Sequence, residues 1–167
     1  MNIVVVCFGF EPSNLRKQPW RYVHELITEL PNKGSKLTVV TDVDRTKTAG
    51  IRVKPVKKLL DLTGPTREVI TAIRQESPDL VISLVGSSSF MRRTTIASVI
   101  DKPTIGIVGG PLYSPTEVFN IGVTDIYKYR QYLSAHLIGS LVPEWLIRKH
   151  ASAYDCLITL TTENESR

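Results

Sequence analysis

Short apolar runs alternate with polar or helically periodic segments along the whole of the 167-residue chain. Residues 2–8 form the first apolar, β-branched run, and residues 9–19 form a polar segment that contains two prolines. Residues 20–30 then place their apolar side chains on one helical face. This order predicts a strand, a loop and a helix. In parallel α/β domains ligands bind outside the carboxyl ends of the strands, so residues 9–19 are the first candidate for a functional site.

The same alternation continues towards residue 167. Buried strands are predicted at residues 37–41, 80–85, 104–108 and 154–161, and a half-exposed strand at residues 51–54. A second helix is predicted to begin near Pro65 with Thr63 or Thr66 as its cap, a third to span residues 90–100, and another to begin at Pro143. Continuous apolar runs separated by helices predict a mostly parallel sheet that is covered on both faces.

Length and composition are those of one globular domain spanning residues 1–167. The chain is 42% hydrophobic and 22% charged, which excludes disordered and fibrous classes. A chain of this length buries a full core without disulfides or metals to stabilise it. The predicted fold class is therefore α/β, a Rossmann-like three-layer αβα sandwich around a mostly parallel sheet.

The formal net charge of +5 and the two cysteines indicate which partners and which cellular compartment the sequence favours. The cations are scattered, and no RNA-binding signature or zinc-finger spacing accompanies them, so we predict no nucleic-acid partner. A solvated basic surface is the simplest interpretation, and one that faces anionic lipid or phosphate is the alternative. Cys7 and Cys156 lie in apolar runs, which favours a reducing, cytoplasmic compartment. No cluster has metal-ligand spacing, so we predict no metal.

Several short motifs recur at defined places along this pattern. They are Arg21 with His24-Glu25-Leu26 in the first helix, Asn32-Lys33-Gly34 before strand 37–41, Ser77-Pro78-Asp79 before strand 80–85, Lys102-Pro103 before strand 104–108, and Ala153-Tyr154-Asp155 before the last strand. In this order and spacing they resemble the amino-terminal domain of GT-B glycosyltransferases, above all the retaining group 1, or family four, type. The resemblance runs through nearly all of the chain.

The resemblance implies a two-domain hexosyltransferase. In such enzymes the amino-terminal domain binds the acceptor, a glycan or a lipid-linked molecule, and a carboxyl-terminal domain binds the nucleotide-sugar donor. No second α/β domain lies within residues 1–167. We therefore expect this chain to be the acceptor-binding domain, inactive by itself, with no catalytic residue and no cofactor of its own.

The chain departs from that family at three places. Lys17 and Gln18 stand where the family has a glycine pair that approaches the donor phosphates. Gly109 stands where relatives often carry a histidine, and the two histidines common around the strand at residues 80–85 are absent. These departures indicate a divergent or an inactive member.

The loop at residues 9–19 supplies the first candidate site residues, Gly9, Phe10, Glu11, Arg16 and Lys17. At the carboxyl end of a strand the two cations are suited to phosphate, Lys17 as a point charge and Arg16 as a bidentate fork. The alternative is a solvated loop with two ordinary cations.

The next two strand exits supply the remaining candidates. Ser87 and Ser88 follow strand 80–85, where their amides and hydroxyls suit an anion or sugar hydroxyls, although serine at a helix start also serves as a cap. Gly109 and Gly110 permit close approach of a ligand or form only a turn. Tyr113 is placed to stack on a sugar, or it packs within its loop.

Residues 127–132, together with Trp145, Arg148 and Lys149, mix aromatic and cationic side chains. This mixture suits peripheral contact with an anionic membrane, on its inner face, and an amphipathic helix with its aromatics inside is the simpler interpretation. A standalone α/β module that binds a nucleotide or a sugar is the alternative function. A dinucleotide-binding dehydrogenase is disfavoured, since Gly9 is the only glycine in the first loop.

Overall fold

The computed structural model describes residues 1–15, 19–43, 51–109 and 142–159, apart from the side chains of Asn32, Ser87 and Ser88. Six strands form one sheet in the order β3-β2-β1-β4-β5-β6, and every neighbouring pair is parallel. The strands are β1 Asn2–Val6, β2 Lys36–Thr41, β3 Arg52–Pro55, β4 Leu80–Val85, β5 Thr104–Val108 and β6 Cys156–Thr159. The predicted α/β class, Rossmann-like with a parallel sheet, is confirmed.

Helices separate most of these strands. They are α1 Trp20–Asn32, α2 Arg67–Gln75, a 3₁₀ helix Ser87–Met91, α3 Ile96–Val99 and α4 Glu144–Ala151. The predicted cap of α2 is confirmed, because the Thr66 hydroxyl accepts a hydrogen bond from the Val69 amide at 3.4 Å. α4 begins directly after Pro143, as predicted. α1 ends at Asn32, one residue beyond the predicted end at Leu30-Pro31.

The core has one layer on each face of the sheet. Ile3 and Val5 of β1 pack with Ile27 of α1 on one face, whereas Val4 of β1 packs with Val69 of α2 on the other. Successive side chains of a strand point to opposite faces, so a strand that is covered on both faces must be apolar throughout. This explains the continuous apolar runs and the three-layer arrangement.

The strand order places a topological switch between β1 and β4. The chain leaves β1 towards α1, which packs on one face, and it leaves β4 towards the 3₁₀ helix and α3, which pack on the other. Connections that diverge in this way leave a crevice between them at the carboxyl ends of the two strands. This crevice is therefore the candidate functional site.

The segment after β4 differs from the single helix predicted for residues 90–100. A 3₁₀ helix comes first, the backbone is extended at Arg92 and at Thr95, and only then does α3 begin. Both the amide and the hydroxyl of Thr94 donate to the Thr63 carbonyl, at 3.0 and 3.1 Å. Because these bonds draw the chain out of helical geometry, Thr95 starts a new helix in a capping box with Ser98.

Among the described helices, none has the length and apolar character needed to cross a membrane.

Candidate functional site

The loop after β1 forms the first wall of the crevice, and its bend is held at Gly9. Gly9 has φ +58°, a left-handed conformation that glycine adopts without strain. Its amide donates to Asp42 Oδ1 at 2.7 Å, and its carbonyl accepts from Asn14 Nδ2 at 3.0 Å. Asp42 directly follows β2, so a side chain from the neighbouring strand exit fixes the first turn of this loop.

Glu11 stands at the centre of the same loop. Its Oε1 accepts hydrogen bonds from Ser13 Oγ at 2.8 Å and from Asn14 Nδ2 at 3.2 Å. Its backbone carbonyl accepts from the amides of Asn14 and Leu15. A carboxylate held by two side-chain donors has a defined direction, which is what a binding residue needs before its ligand arrives.

Trp20 closes the loop at the start of α1. Its indole Nε1 donates to the Phe8 carbonyl at 2.6 Å, and its ring meets the Phe8 ring edge-on with centroids 5.7 Å apart. Both ends of the loop are therefore joined by one hydrogen bond and one aromatic contact. The sequence signal for this contact was an aromatic residue on each side of the predicted loop.

Gly109, at the end of β5, packs against the start of α1. A Cβ atom added to Gly109 would lie 2.5 Å from Pro19 Cγ and 3.2 Å from Leu84 Cδ1. The close approach predicted at this glycine is therefore made by Pro19 of the protein's own loop. Gly109 positions the first wall of the crevice.

The second wall is the chain after β4, which encloses a cavity of about 20 Å³ against the ends of β1 and β4. This volume is enough for a single water molecule. Its lining joins apolar side chains to six polar ones, which are Ser83, Ser89, Arg92, Thr94, Thr95 and Tyr154. The polar members come from β4, the chain after it and the entry to β6, so several elements meet at this point.

Tyr154 occupies the space that Gly106 leaves on β5. A Cβ atom at Gly106 would lie 3.0 Å from Tyr154 Cδ1 and 2.5 Å from Leu157 Cδ2. The Tyr154 hydroxyl lies within hydrogen-bonding reach of the Ser83 and Thr95 hydroxyls. Burial raises the pKa of Tyr154 to about 12, which those two hydroxyls partly offset. The phenol is therefore neutral at physiological pH and cannot serve as a base.

Arg92 contributes a cation to the lining of this cavity. Within the described part of the chain three buried polar side-chain atoms have no hydrogen-bond partner, namely Arg92 Nε, His150 Nε2 and Thr41 Oγ1. An unpaired buried donor is costly, and a guanidinium presents its donors in a fork that fits carboxylate and phosphate groups. Arg92 is thus a described cation close to the carboxyl ends of β1 and β4, and its Nε borders a cavity the size of one water molecule.

His150 of α4 supports the backbone at Arg92 from behind. Its side chain is only 3% exposed, and its ring donates a hydrogen bond to the Arg92 backbone carbonyl. Desolvation lowers the pKa of His150 below 6.5, and the charge of Lys149 lowers it further, although the bond to Arg92 opposes this shift. The ring is therefore neutral at pH 7 and joins α4 to the second wall.

This lowered pKa predicts a loss of stability in mild acid. The unfolded chain binds a proton at His150 more readily than the folded one, so the free energy of unfolding falls as the pH drops below about 6.5, until the folded ring is also protonated. We expect thermal melting at pH 5 and pH 7.5 to differ less in His150→Gln than in the unmodified protein. The matched control His24→Gln keeps the full difference, and an unchanged pH dependence in His150→Gln would contradict the assignment.

The structure places the sequence-predicted residues in three groups. Gly9, Glu11 and Gly109 lie at the carboxyl ends of β1 and β5, as predicted. Phe10 requires a correction: its side chain is fully buried in the core with Val23 and Ile27, because the turn at Gly9 directs it inward.

Other candidates fall wholly or partly outside the described residues. Arg16, Lys17, Gly110 and Tyr113 lie outside them, as do residues 127–132 and the side chains of Ser87 and Ser88, whose backbone begins the 3₁₀ helix. Sequence reasoning did not single out Asp42, Asn14, Trp20, Arg92, Tyr154 or His150 for the site. Of these, Asp42 had a usable signal, since it is the first polar residue after a buried strand.

Thiolate chemistry at Cys7 and metal chemistry find little support in the described residues. Cys7 is buried, and burial together with the charge of Asp42 raises its pKa to about 12, so the thiol stays protonated. No group of three or more histidine, cysteine or carboxylate side chains within residues 1–15, 19–43, 51–109 and 142–159 is arranged to hold a metal ion. Binding by hydrogen bonds and by the Arg92 charge is what this arrangement offers.

Comparison with known proteins adds no relative to this description. No protein-family model matches the chain, and a search of curated proteins found no significant match.

Proposed function

We propose that this chain is the acceptor-binding domain of a nucleotide-sugar-dependent glycosyltransferase. The observation that carries the proposal is the β1–β4 switch, where a pre-formed loop carrying Glu11 follows β1 and the segment carrying Arg92 follows β4. The ordered motifs that resemble the GT-B amino-terminal domain favour glycosyl transfer as the class of function. The donor-binding domain would be encoded by further sequence.

The chemistry of the first wall favours a hydroxylated ligand. The Gly9 amide already donates to Asp42, and the Trp20 indole already donates to the Phe8 carbonyl. These two donors, in the described part of the loop, are therefore committed internally, and the remaining carboxylate oxygens of Glu11 and Asp42 are available as acceptors. Sugar hydroxyls are donors, and a carboxylate binds them through charge-assisted hydrogen bonds.

The second wall favours an anionic group next to that sugar. Arg92 Nε is buried without a partner among the described residues, but the cavity that it lines with Ser89 and Thr94 is only large enough for one water molecule, so a phosphate would have to bind the guanidinium outside that cavity. A guanidinium binds phosphate oxygens in a bidentate manner. A lipid-linked acceptor, which carries phosphate beside its sugar, would satisfy both walls.

No catalytic residue is assigned within the described residues. Cys7 and Tyr154 each have a pKa raised to about 12, so neither is ionised at neutral pH. Under the proposal this domain orients the acceptor hydroxyl, and the donor domain supplies the charges that stabilise the departing nucleotide.

A standalone nucleotide-binding module is the second candidate, and Asp42 is the observation that favours it. In dinucleotide-binding folds with this strand order an acidic residue follows the second strand and binds the ribose hydroxyls. Asp42 occupies that position, directly after β2. Its Oδ1, however, accepts the Gly9 amide, and the loop lacks the glycines that let pyrophosphate approach.

Titration calorimetry separates the two candidates. We expect heat on addition of a glycan or phosphoglycan acceptor, with affinity lowered roughly tenfold in Glu11→Gln because a charge-assisted hydrogen bond is lost. Glu25→Gln, on an exposed face of α1, is the matched control and leaves affinity unchanged. Binding of free nucleotide that depends on Asp42 and not on Glu11 would instead establish the standalone module.

A further inference from the structure

The small cavity beside the second wall has the size and the polar groups of a binding site of its own. It measures about 20 Å³ and lies where the carboxyl ends of β1 and β4 meet the chain after β4 and the segment that leads into β6. Water occupies a protein cavity when the space exceeds about 10–15 Å³ and two to four polar groups face it. The volume is sufficient, so the polar groups decide whether this cavity binds water.

Arg92 supplies a buried donor that needs an acceptor. Its side chain lines the cavity, and its Nε has no hydrogen-bond partner among the described residues. The guanidinium stays protonated at any physiological pH, so its Nε–H group is a donor and never an acceptor. The described residues that line the cavity include no carboxylate, and so the acceptor has to be an oxygen atom of another kind.

The backbone on both sides of this donor is anchored. The Arg92 amide donates to the Ser89 carbonyl at 3.3 Å, and the Arg92 carbonyl accepts from the His150 ring. Two residues further on, the Thr94 amide donates to the Thr63 carbonyl at 3.0 Å. A donor that is left unpaired in a segment held in this way points to a partner outside the protein.

The hydroxyl groups of the lining show which ligand fits. Thr94 Oγ1 donates its proton to the Thr63 carbonyl at 3.1 Å, so towards the cavity it can only accept. The Tyr154 hydroxyl lies within hydrogen-bonding reach of the Ser83 and Thr95 hydroxyls, and its oxygen has a further lone pair. The ligand therefore has to accept one hydrogen bond, from Arg92, and donate others. Water does both, whereas a halide ion of similar size only accepts.

We propose that this cavity binds one internal water molecule, which accepts the Arg92 Nε–H and donates to Thr94 Oγ1 and Tyr154 Oη. Three partners are the usual number for a buried water. The bridge connects the chain after β4 with the segment that leads into β6. It also fixes the plane of the guanidinium, so the other N–H groups of Arg92 stay available to a ligand outside the cavity. This proposal does not depend on the glycosyltransferase assignment.

A crystal structure at a resolution of about 1.2 Å tests the proposal directly. We expect one isolated density peak in the cavity, about 2.7–3.2 Å from Arg92 Nε, Thr94 Oγ1 and Tyr154 Oη. Crystals soaked in bromide distinguish water from a halide, because bromide scatters anomalously. An anomalous peak in the cavity would identify an anion site and overturn the proposal. A cavity without density, or an Arg92 Nε that donates to a protein oxygen, would overturn it as well.

Solution NMR measures the residence time of the same water. We expect the Arg92 Hε signal to give a cross-peak at the water frequency with the sign of a long-lived bound molecule. Thr94→Val and Tyr154→Phe each remove one acceptor and nearly keep the shape of the side chain. Each should shorten the residence time by up to about tenfold, the effect of one hydrogen bond. In Thr94→Val the backbone amide can still donate to the Thr63 carbonyl, which keeps the segment in place.

Two control variants show whether these effects are specific to the cavity. Thr71→Val changes an exposed side chain of α2, Tyr22→Phe changes one of α1, and neither residue lines the cavity. Both variants should leave the Arg92 cross-peak unchanged, and the dispersion of the amide signals shows whether each variant is folded. Equal changes in the control and cavity variants would contradict the assignment of the water to this cavity.

Discussion

Gly64→Ala lowers the free energy of unfolding by about 3 kcal/mol or more, the largest effect we expect from an alanine substitution at any glycine that the structure describes. Gly64 has φ +147°, which L side chains rarely adopt. An added Cβ would also meet the Thr94 hydroxyl and lie 2.7 Å from the Thr94 backbone carbonyl oxygen. Because that neighbour is backbone, relief requires the turn at Asp61 and the extended segment at Thr94 to separate.

Gly34→Ala is the matched control for this prediction. Gly34 also has positive φ, at +80°, but no atom lies within 4 Å of the position its Cβ would take. Gly34→Ala therefore costs only the free energy of placing an alanine at positive φ, about 1 kcal/mol. Urea unfolding measures both variants. Equal destabilisation of the two variants would show that close packing of Gly64 against Thr94 adds nothing to the free energy of unfolding.

Phe10→Ala is the second large effect, a loss of about 4 kcal/mol and roughly 10 °C in melting temperature. Phe10 is fully buried among Val23, Ile27 and the residues of β1, so truncation leaves a cavity beneath the loop. The same substitution would cost little stability if the ring faced a ligand, as the sequence alone predicted.

Phe10→Leu distinguishes a packing role from a binding role. It keeps most of the buried volume, so we expect a loss of about 1 kcal/mol and unchanged affinity for an acceptor. Thermal melting and calorimetry on the two variants provide the readouts. A Phe10→Ala protein that melts like the unmodified one but no longer binds an acceptor would show that Phe10 has a binding role.

The sheet was predictable because each of its signals is local. β4 and β5 coincide with the predicted strands at residues 80–85 and 104–108, since a doubly covered strand must be apolar throughout and turn residues limit it on both sides. The cap at Thr66 and the left-handed Gly34 likewise depend only on neighbouring residues. The single predicted helix at residues 90–100 failed because a distant group, the Thr63 carbonyl, draws Thr94 out of helical geometry.

The site was predictable to the level of strand exits and no further. The loop after the first strand lies at the carboxyl end of β1 as predicted, and Gly9 and Glu11 lie in it, whereas its role in binding stays a prediction. The direction of each side chain depends on tertiary partners, however. Phe10 turns into the core, Gly109 accommodates Pro19, and Arg92 joins the crevice only because the segment after β4 is extended. None of these contacts has a signature within a few residues of sequence.

The proposal that this chain is the acceptor-binding domain of a glycosyltransferase is tested most directly by a transfer assay. The assay uses the protein encoded by the reading frame continued beyond Arg167. Mass spectrometry would follow a panel of nucleotide-sugars with glycan and lipid-linked acceptors, for the continued protein and for residues 1–167 alone. We predict a second α/β domain in the continued frame, a glycosylated acceptor from the longer protein, and no product from residues 1–167. A frame that ends near Arg167, together with nucleotide binding by this domain, would contradict the glycosyltransferase proposal. So would a two-domain protein that transfers no sugar to any acceptor.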